Sequence, residues 1–369
     1  MFMKTDLPAS KPHYEILDGL RGVAAVMVLV YHIFEAFVID RFGLIIGHGY
    51  LAVDFFYALS GFVIGYAYDE RWQRMSLGAF FKRRFIRLHP MVVFGMILGA
   101  VLFYFGDSAI FPKIHEVPVL KMLLYMALGM LLIPVPAKYD IRGWEEMYTL
   151  DAPCWSLFFE YIANILYALL FKRLSKVFLS AFVILAAGST LYLTLTQGDV
   201  IGGWVFDGKH LYAGFTRLLY PFLAGLLLYR AVKIVKIKHA FFWSSLLLLA
   251  VLLAPRIGGR ENLWMNGLYE SFVILIVFPL IVFMGASGVV KGKFASGLCK
   301  FLGDISYPLY LINYPIIYIF IGWVSDTKHT VAESVWVILL VFFTTMTLSY
   351  LVTKFYDIPL RKWLTKIWK

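Results

Sequence analysis

One apolar stretch near the start of the chain carries an arginine and a histidine at a spacing that suits chemistry. Arg21 and His32 lie eleven residues apart in DGLRGVAAVMVLVYH, residues 18–32. Eleven residues make roughly three helical turns, so both side chains project from nearly the same face, about 16 Å apart. Asp18 lies one turn before Arg21 and can contact it. A neutral imidazole can accept a proton from a hydroxyl group, so His32 is a candidate base; the alternative is a histidine that only packs between helices.

Two carboxylates lie in other apolar stretches, where a charge is costly. Glu160, in DAPCWSLFFEY, is expected at about the membrane depth of His32, so the two can form an acid–base pair. The alternative for Glu160 is an ion pair with a buried arginine such as Arg217. Asp54 lies in AVDFFYALSGFVIGYAY, most of which is typical of helix packing. Trp155, close to Glu160, is either an interfacial aromatic residue or a surface on which a sugar stacks.

A basic cluster, KRRFIR at residues 82–87, begins another apolar segment. As a signal for membrane topology the cluster needs no further explanation. However, Arg84 and Arg87 share a helix face, and guanidinium groups bind phosphate oxygens in bidentate pairs. With Arg21 and Arg83, they are the candidate ligands for a polyphosphate at the cytoplasmic mouth of a helix bundle.

The composition indicates which elements hold these residues. The chain has 369 residues, of which 61% are hydrophobic and 15% charged, with a mean hydropathy of +0.77. These values, and apolar blocks of about 20 residues, predict an all-α, polytopic membrane protein in contact with the lipid bilayer. The net charge of +11 does not indicate a nucleic-acid partner, because the basic residues cluster at segment ends, as the positive-inside rule expects.

Ten crossings are predicted, with both termini in the cytoplasm. The block at 118–136 is short and rich in proline, and we interpret it as a re-entrant or interfacial hairpin, because every basic cluster from Lys82 onward then lies inside. The alternative is an eleventh crossing with one loop that breaks the charge rule. A single membrane domain, 15–356, is expected between tails at 1–14 and 357–369. The predicted crossings are 17–38, 49–69, 80–105, 152–171, 177–196, 212–232, 240–255, 267–289, 301–323 and 332–354.

The segment ISYPLYLINYPI, residues 305–316, is predicted to interrupt its helix at Pro308 and Pro315. Such interruptions usually line a cavity or pack against protein. Broken helices and charges at the membrane midplane are also typical of transporters, so a transporter or flippase of a glycan or lipid-linked intermediate is the alternative function. No internal repeat supports that alternative. The candidate substrate-binding residues are Asp54, Trp155, Ser156, Tyr307 and Asn313.

Several motifs together resemble the integral-membrane acyltransferase 3 family: YEILDGLRGVAAVMVLVYH, FFYALSGFVI, KRRFIRLHP, WSLFFE and ISYPLYLIN, in the family's order. The resemblance implies a ten-helix enzyme that moves an acetyl group from cytoplasmic acetyl-CoA to a hydroxyl of a carbohydrate or lipid-linked glycan at the far face. It makes His32 the catalytic histidine and Arg21 its paired cation. It also makes Arg84 and Arg87 the acyl-CoA contacts, and Glu160 matches the family's Trp-Ser-Leu-x-x-Glu pattern.

The chain departs from the family pattern at Asn313, where many members have histidine, and at Asp357-Ile-Pro359, where Glu-x-Pro is usual. We expect an acetyl-CoA-dependent O-acyltransferase of the bacterial inner membrane that needs no metal. His32 either deprotonates the acceptor for direct attack or is acylated first. A non-catalytic subunit of a glycan-assembly complex is a further alternative, and the sequence carries no indication of oligomeric state. The candidate catalytic residues are His32, Glu160 and Asp18.

Overall fold

The computed structural model describes residues 13–38 and 40–368, which form helices joined by loops. Residues 1–12 of the predicted N-terminal tail, and Lys369, lie outside the described residues. The described residues contain no β-strand, only isolated bridges between residue pairs, and the all-α prediction is confirmed. The helices are α1 (Glu15–Glu35), α2 (Ala52–Tyr68), α3 (Leu77–Leu102), α4 (Val119–Met130), α5 (Cys154–Leu169), α6 (Lys176–Gln197), α7 (Gly208–Ala231), α8 (Ala240–Leu253), α9 (Leu263–Phe272), α10 (Phe278–Ala286), α11 (Lys293–Thr327), α12 (Val335–Val352) and α13 (Ile358–Ile367).

Nine helical elements of the described chain are long and apolar enough to cross a membrane. Two of them are helix pairs joined by π-turns: Val273–Val277 joins α9 to α10, and Thr353–Asp357 joins α12 to α13. Helix α8 has only 14 residues and packs against α1. Phe241 at its start packs against Gly19, and Leu252 at its end accepts a hydrogen bond from the backbone N–H of His48, which follows α1. With α8 as a shorter tenth apolar element, the described helices agree with about ten predicted crossings.

The segments that follow α2, α5 and α7 meet at one end of the bundle, which we call the basic end. Arg230, near the end of α7, forms an ion pair with Asp69 at 2.6 Å. The same guanidinium group donates to the carbonyl oxygens of Phe171 and Leu174 after α5. Lys172, from one of the predicted basic clusters, lies over the ring of Trp72. The opposite end of the bundle is called the far end below.

Six helices form a ring in which each packs against the next, in the order α1, α2, α7, α5, α3 and α11. Helices α6 and α12–α13 are the least buried of the candidate spans and lie at the periphery. Helices α2 and α7 approach each other closely within the ring. Gly61 of α2 faces the carbonyl oxygen of Phe222, and Gly225 of α7 faces that of Ala58, so a Cβ at either position would collide with backbone. Glycine at both positions lets the two helices pack closely.

Helix α4 and the chain that follows it enter and leave the bundle at the far end. Val117, just before α4, accepts a hydrogen bond from Tyr104 beyond the end of α3, whereas Gly129 at the other end of α4 packs against Met96. Twelve helical residues span about 18 Å, well short of a hydrocarbon core of about 30 Å. The chain then turns and returns to the level of Gly106, against which Arg142 packs. This path agrees with the predicted hairpin, and the irregular part extends beyond residue 136 to the start of α5.

The close approach of α2 and α7 generates a prediction. Gly61→Ala should lower the thermal stability of the purified protein, because the new methyl group overlaps a backbone carbonyl, a clash that typically costs about 1–3 kcal/mol. The matched control is Gly188→Ala in α6, where a Cβ would meet no atom within 4 Å of the described structure. That variant should keep or slightly raise stability, because alanine favours helix more than glycine does. Equal melting temperatures for the two variants in detergent would contradict this packing.

Candidate functional site

Helix α1 keeps Arg21 and His32 on one continuous element, as predicted. The helix is uninterrupted from Glu15 to Glu35, so the two residues remain about 16 Å apart along its axis. Arg21 lies near the basic end, where its Nη2 pairs with Asp18 at 3.0 Å. It also donates to the hydroxyl of Ser306 at 2.8 Å and to a backbone carbonyl of α11. The expected contact between Asp18 and Arg21 is therefore present. It lies at the opposite end of α1 from His32.

Glu160 lies beside Arg84 rather than His32. Its Oε1 accepts a hydrogen bond from Arg84 Nη2 at 2.7 Å and another from Ser60 at 3.1 Å. The expected pairing of Glu160 with His32 is therefore wrong, whereas the alternative of an ion pair with a buried arginine is confirmed, with Arg84 in the place of Arg217. The depth estimate failed because α5 begins well inside the bundle, where the residues just before it pack against α3 at Gly95. The side chain of Arg84 is only 9% exposed, and its guanidinium group joins α3 to α5.

Arg87 differs from Arg21 and Arg84, because its charge is not paired. It is exposed and forms no hydrogen bond or ion pair with any residue in the described ranges. The charges of Arg21, Asp18 and Arg84 nevertheless lie close enough to act on it. Arg83 is also exposed. The basic end thus combines cations that are already paired, such as Arg21 and Arg84, with Arg87 and Arg83, which are exposed and available to an anion.

At the far end of α1, His32 is held by a neighbour that the sequence analysis missed. Its Nδ1 lies 2.8 Å from Glu35 Oε2, and the other carboxylate oxygen accepts a hydrogen bond from Tyr31 at 2.8 Å. An ionised carboxylate can only accept, so Nδ1 carries the proton and Nε2 carries the lone pair of a base. Nε2 has no hydrogen-bond partner in the described part of the chain. The sequence spacing could have indicated Glu35 as a partner of His32, since residues three apart on a helix are neighbours.

Aromatic rings connect His32 to the loop between α4 and α5. The ring of Tyr314 stands perpendicular to that of His32 with 4.7 Å between centroids, and it packs in the same way on Tyr318. Tyr318 donates its hydroxyl to Glu146. The guanidinium of Arg142 lies 3.6 Å from the centre of the Tyr318 ring. The loop therefore positions the aromatic rings against which His32 packs. No motif in the sequence indicated this role of the loop.

Asp54 forms a buried ion pair with Arg217 and not a substrate contact. The two side chains approach to 2.8 Å, and that of Asp54 is 0% exposed. Arg217 also donates to the backbone carbonyls of Tyr50 and Gly202 and lies over the ring of Trp155. The predicted contact of Asp54 with substrate is wrong, because none of its atoms is open to a ligand. The ring of Trp155 therefore packs against the guanidinium group of Arg217.

The remaining candidates lie along α11 and its contacts with α3 and α5. Ser156 shares a hydrogen bond of 2.7 Å with Tyr310, and Tyr307 donates to the carbonyl of Leu88. The predicted interruption of this helix is wrong, since α11 continues through Pro308 and Pro315. Asn313 is buried and donates to the carbonyls of the preceding turn, so its side chain supports the helix. Contacts of Ser156 and Tyr307 with substrate stay predictions.

The buried loop residue Glu146 generates a prediction about pH. Burial raises the pKa of Glu146 to about 8, above its usual value of about 4.3 in an unfolded chain. Because the folded state holds the proton more tightly, this group contributes stability that is present below the unfolded pKa and is lost as the pH rises through about 8. The wild-type protein should therefore melt at a lower temperature at pH 8.5 than at pH 6 in the same detergent.

Glu146→Gln should reduce this difference in melting temperature, because glutamine keeps an acceptor for Tyr318 without titrating. The control is Glu145→Gln at the neighbouring, exposed position, which should behave as the wild type. An unchanged pH dependence in the Glu146 variant would show that this carboxyl group does not titrate as its burial requires.

Comparison with known proteins gives one consistent result. The acyltransferase domain family matches residues 14–354. "Protein 2 in picA locus" of Rhizobium radiobacter is 35% identical over 160 residues, which cover 42% of this chain and 80% of that protein. The peptidoglycan O-acetyltransferase OatA of Listeria monocytogenes is 24% identical over 395 residues, which cover 98% of this chain but only 58% of that protein. No solved structure matches this chain. Because the family match includes the whole helical ring and both ends of α1, the chain belongs to the membrane-embedded acyltransferase family.

Proposed function

We propose that the protein is an O-acyltransferase that takes an acetyl group from acetyl-CoA at the basic end and transfers it to a glycan hydroxyl at the far end. The observation that carries the proposal is the arrangement of α1. One rigid helix has a cation-lined site at the basic end and, three turns away on the same face, a histidine whose free nitrogen is a base.

The basic end suits the donor because CoA carries its charge on phosphates. Arg87 is exposed and unpaired among the described residues, so it can bind a phosphate without breaking an existing ion pair. Arg21 and Arg84 surround it but are held by Asp18 and Glu160. The positive-inside rule favours this end as the cytoplasmic one, where acetyl-CoA is available, and we propose the bacterial inner membrane as the location.

The far end suits proton transfer from an acceptor hydroxyl. His32 Nε2 accepts the hydroxyl proton while the oxygen attacks the thioester carbonyl, and the collapse of the tetrahedral intermediate breaks the carbon–sulfur bond. The imidazolium then returns the proton to the thiolate, so the products are an ester and free CoA. Glu35 stabilises the positive charge that forms on the ring, in the manner of the carboxylate in a catalytic triad. Acylation of His32 before transfer remains the alternative order of events.

The acceptor class is supported by one relative. OatA of Listeria monocytogenes is named a peptidoglycan O-acetyltransferase. The alignment with it covers 98% of this chain and 58% of OatA. We therefore propose a surface or exported glycan, free or linked to lipid, as the acceptor. The transporter alternative loses its main support, because α11 is continuous where a broken helix was predicted.

The first test removes the base. His32→Ala should lower transfer of label from radiolabelled acetyl-CoA to the glycan fraction of membranes by roughly 10²–10⁴-fold, which is the usual contribution of a general base. His115→Ala is the matched control, because that histidine lies on an exposed loop. It should leave transfer unchanged. Equal incorporation by the His32 variant and the wild type would refute the catalytic assignment.

The second test addresses the orientation of His32. Glu35→Gln should lower kcat by at least about ten-fold while the KM for acetyl-CoA stays near the wild-type value, because an amide does not enforce the tautomer with Nδ1 protonated. The control is Glu116→Gln, whose carboxylate is exposed on the far-end loop. If Glu35→Gln raised KM and left kcat unchanged, Glu35 would not act through His32.

A further inference from the structure

The C-terminal helix α13 packs against α3 at the basic end and lies beyond residue 354, where the family match ends. A π-turn introduces it, and the last residue of that turn, Asp357, has a side chain only 2% exposed. Its Oδ2 lies 2.6 Å from Nη2 of Arg361, one turn further along, whose side chain is 32% exposed. A buried carboxylate thus orients a guanidinium group that still reaches solvent.

The pair of Asp357 and Arg361 lies next to the unpaired Arg87 of α3. Asp357 and Arg361 are both close enough to Arg87 for their charges to act on it. Asp304 of α11 also acts on Asp357. The second carboxylate oxygen of Asp357, Oδ1, is buried without a hydrogen-bond partner in the described chain. The site therefore holds a buried, under-satisfied carboxylate beneath two guanidinium groups that have donors to spare.

The charge of the donor shows why a further available cation matters. CoA carries a diphosphate and a 3′-phosphate, which together bring several negative charges. Arg21 and Arg84 are already matched by Asp18 and Glu160, so of the four predicted phosphate ligands only Arg87 and Arg83 would face those charges unpaired. A guanidinium group has five N–H donors, and the ion pair with Asp357 leaves most of those of Arg361 unused.

We propose that α13 forms part of the acyl-donor site, in which Arg361 binds a phosphate of CoA beside Arg87 and Asp357 is its positioning residue. This inference rests on the proposed function, because it takes a CoA thioester as the donor. The phosphate of an anionic lipid headgroup offers the same chemistry. We assign the site to the donor because Arg361 is grouped with the arginines near Arg21 at the base of the α1 face.

The test measures equilibrium binding by the full chain in nanodiscs of neutral phosphatidylcholine. The ligands are CoA and pantetheine, which has the thiol arm without phosphates. Arg361→Ala should weaken CoA binding by roughly ten-fold or more, as expected for the loss of a charge-assisted hydrogen bond, and should leave pantetheine binding unchanged. Arg361→Lys should recover part of the affinity, because it keeps the charge but loses the bidentate geometry.

Lys362→Ala is the matched control, since it removes the same charge from the exposed next residue of α13. It should bind CoA as the wild type does. Asp357→Asn should weaken CoA binding in the same direction as Arg361→Ala, because the guanidinium group is no longer oriented. Loss of pantetheine binding in parallel with CoA binding, in Arg361→Ala and Arg361→Lys alike, would indicate a purely structural ion pair and overturn the inference.

Two other results would also overturn it. If Arg361→Ala binds CoA as the wild type does, α13 does not belong to the donor site. If that variant binds CoA normally but loses bound phosphatidylglycerol in native mass spectrometry, the arginine serves a lipid headgroup. Failure of the proposed function is distinguishable from these results, because in that case the wild-type protein itself would bind no CoA.

Discussion

An arginine inside a helix bundle is stable only when an anion or a set of carbonyl groups accompanies it, and this constraint organises the structure. Arg217 pairs with Asp54 between α7 and α2, and Arg84 pairs with Glu160 between α3 and α5. Arg21 joins α1 to α11 through Ser306. Each pair removes the cost of a buried charge and at the same time fixes two helices relative to each other. The ring of six helices is therefore held by polar contacts at several of its joints, as well as by the close α2–α7 packing.

The paired arginines stabilise the fold, whereas the unpaired or exposed arginines are available for a ligand. Arg217 has its ion pair and its carbonyl contacts fully inside the protein, where its side chain is not accessible to a ligand. Arg87 and Arg361 are the opposite case, because both are exposed enough to meet an anion at the basic end. The distinction follows from partners and depth rather than from residue type. It explains how the same amino acid can stabilise the fold in one place and recognise a phosphate in another.

The bundle, the hairpin and the single face of α1 could be predicted from the sequence, because apolar periodicity, proline content and helical spacing are local properties. The partners of the charged residues could not. Glu160 was placed by counting residues from a membrane surface, and α5 begins inside the bundle, so the estimate did not locate its partner. Proline content predicts a break in α11, but that helix continues through both prolines while it packs against α1 and α3. Glu35 was within reach of local reasoning, whereas Arg142 and Glu146 act through contacts distant in sequence.

The continuity of α1 has a consequence for donor selection. A single straight helix fixes the separation between the arginine at one end and the histidine at the other by the rise of the backbone, at 1.5 Å per residue. In the proposed enzyme this helix sets the length that the carrier arm must have between its phosphate and its thioester. A thioester on a shorter arm would stop below His32, and one on a longer arm would pass it. Selection would then depend on the length of the carrier and leave the acyl group itself free to extend towards the far end.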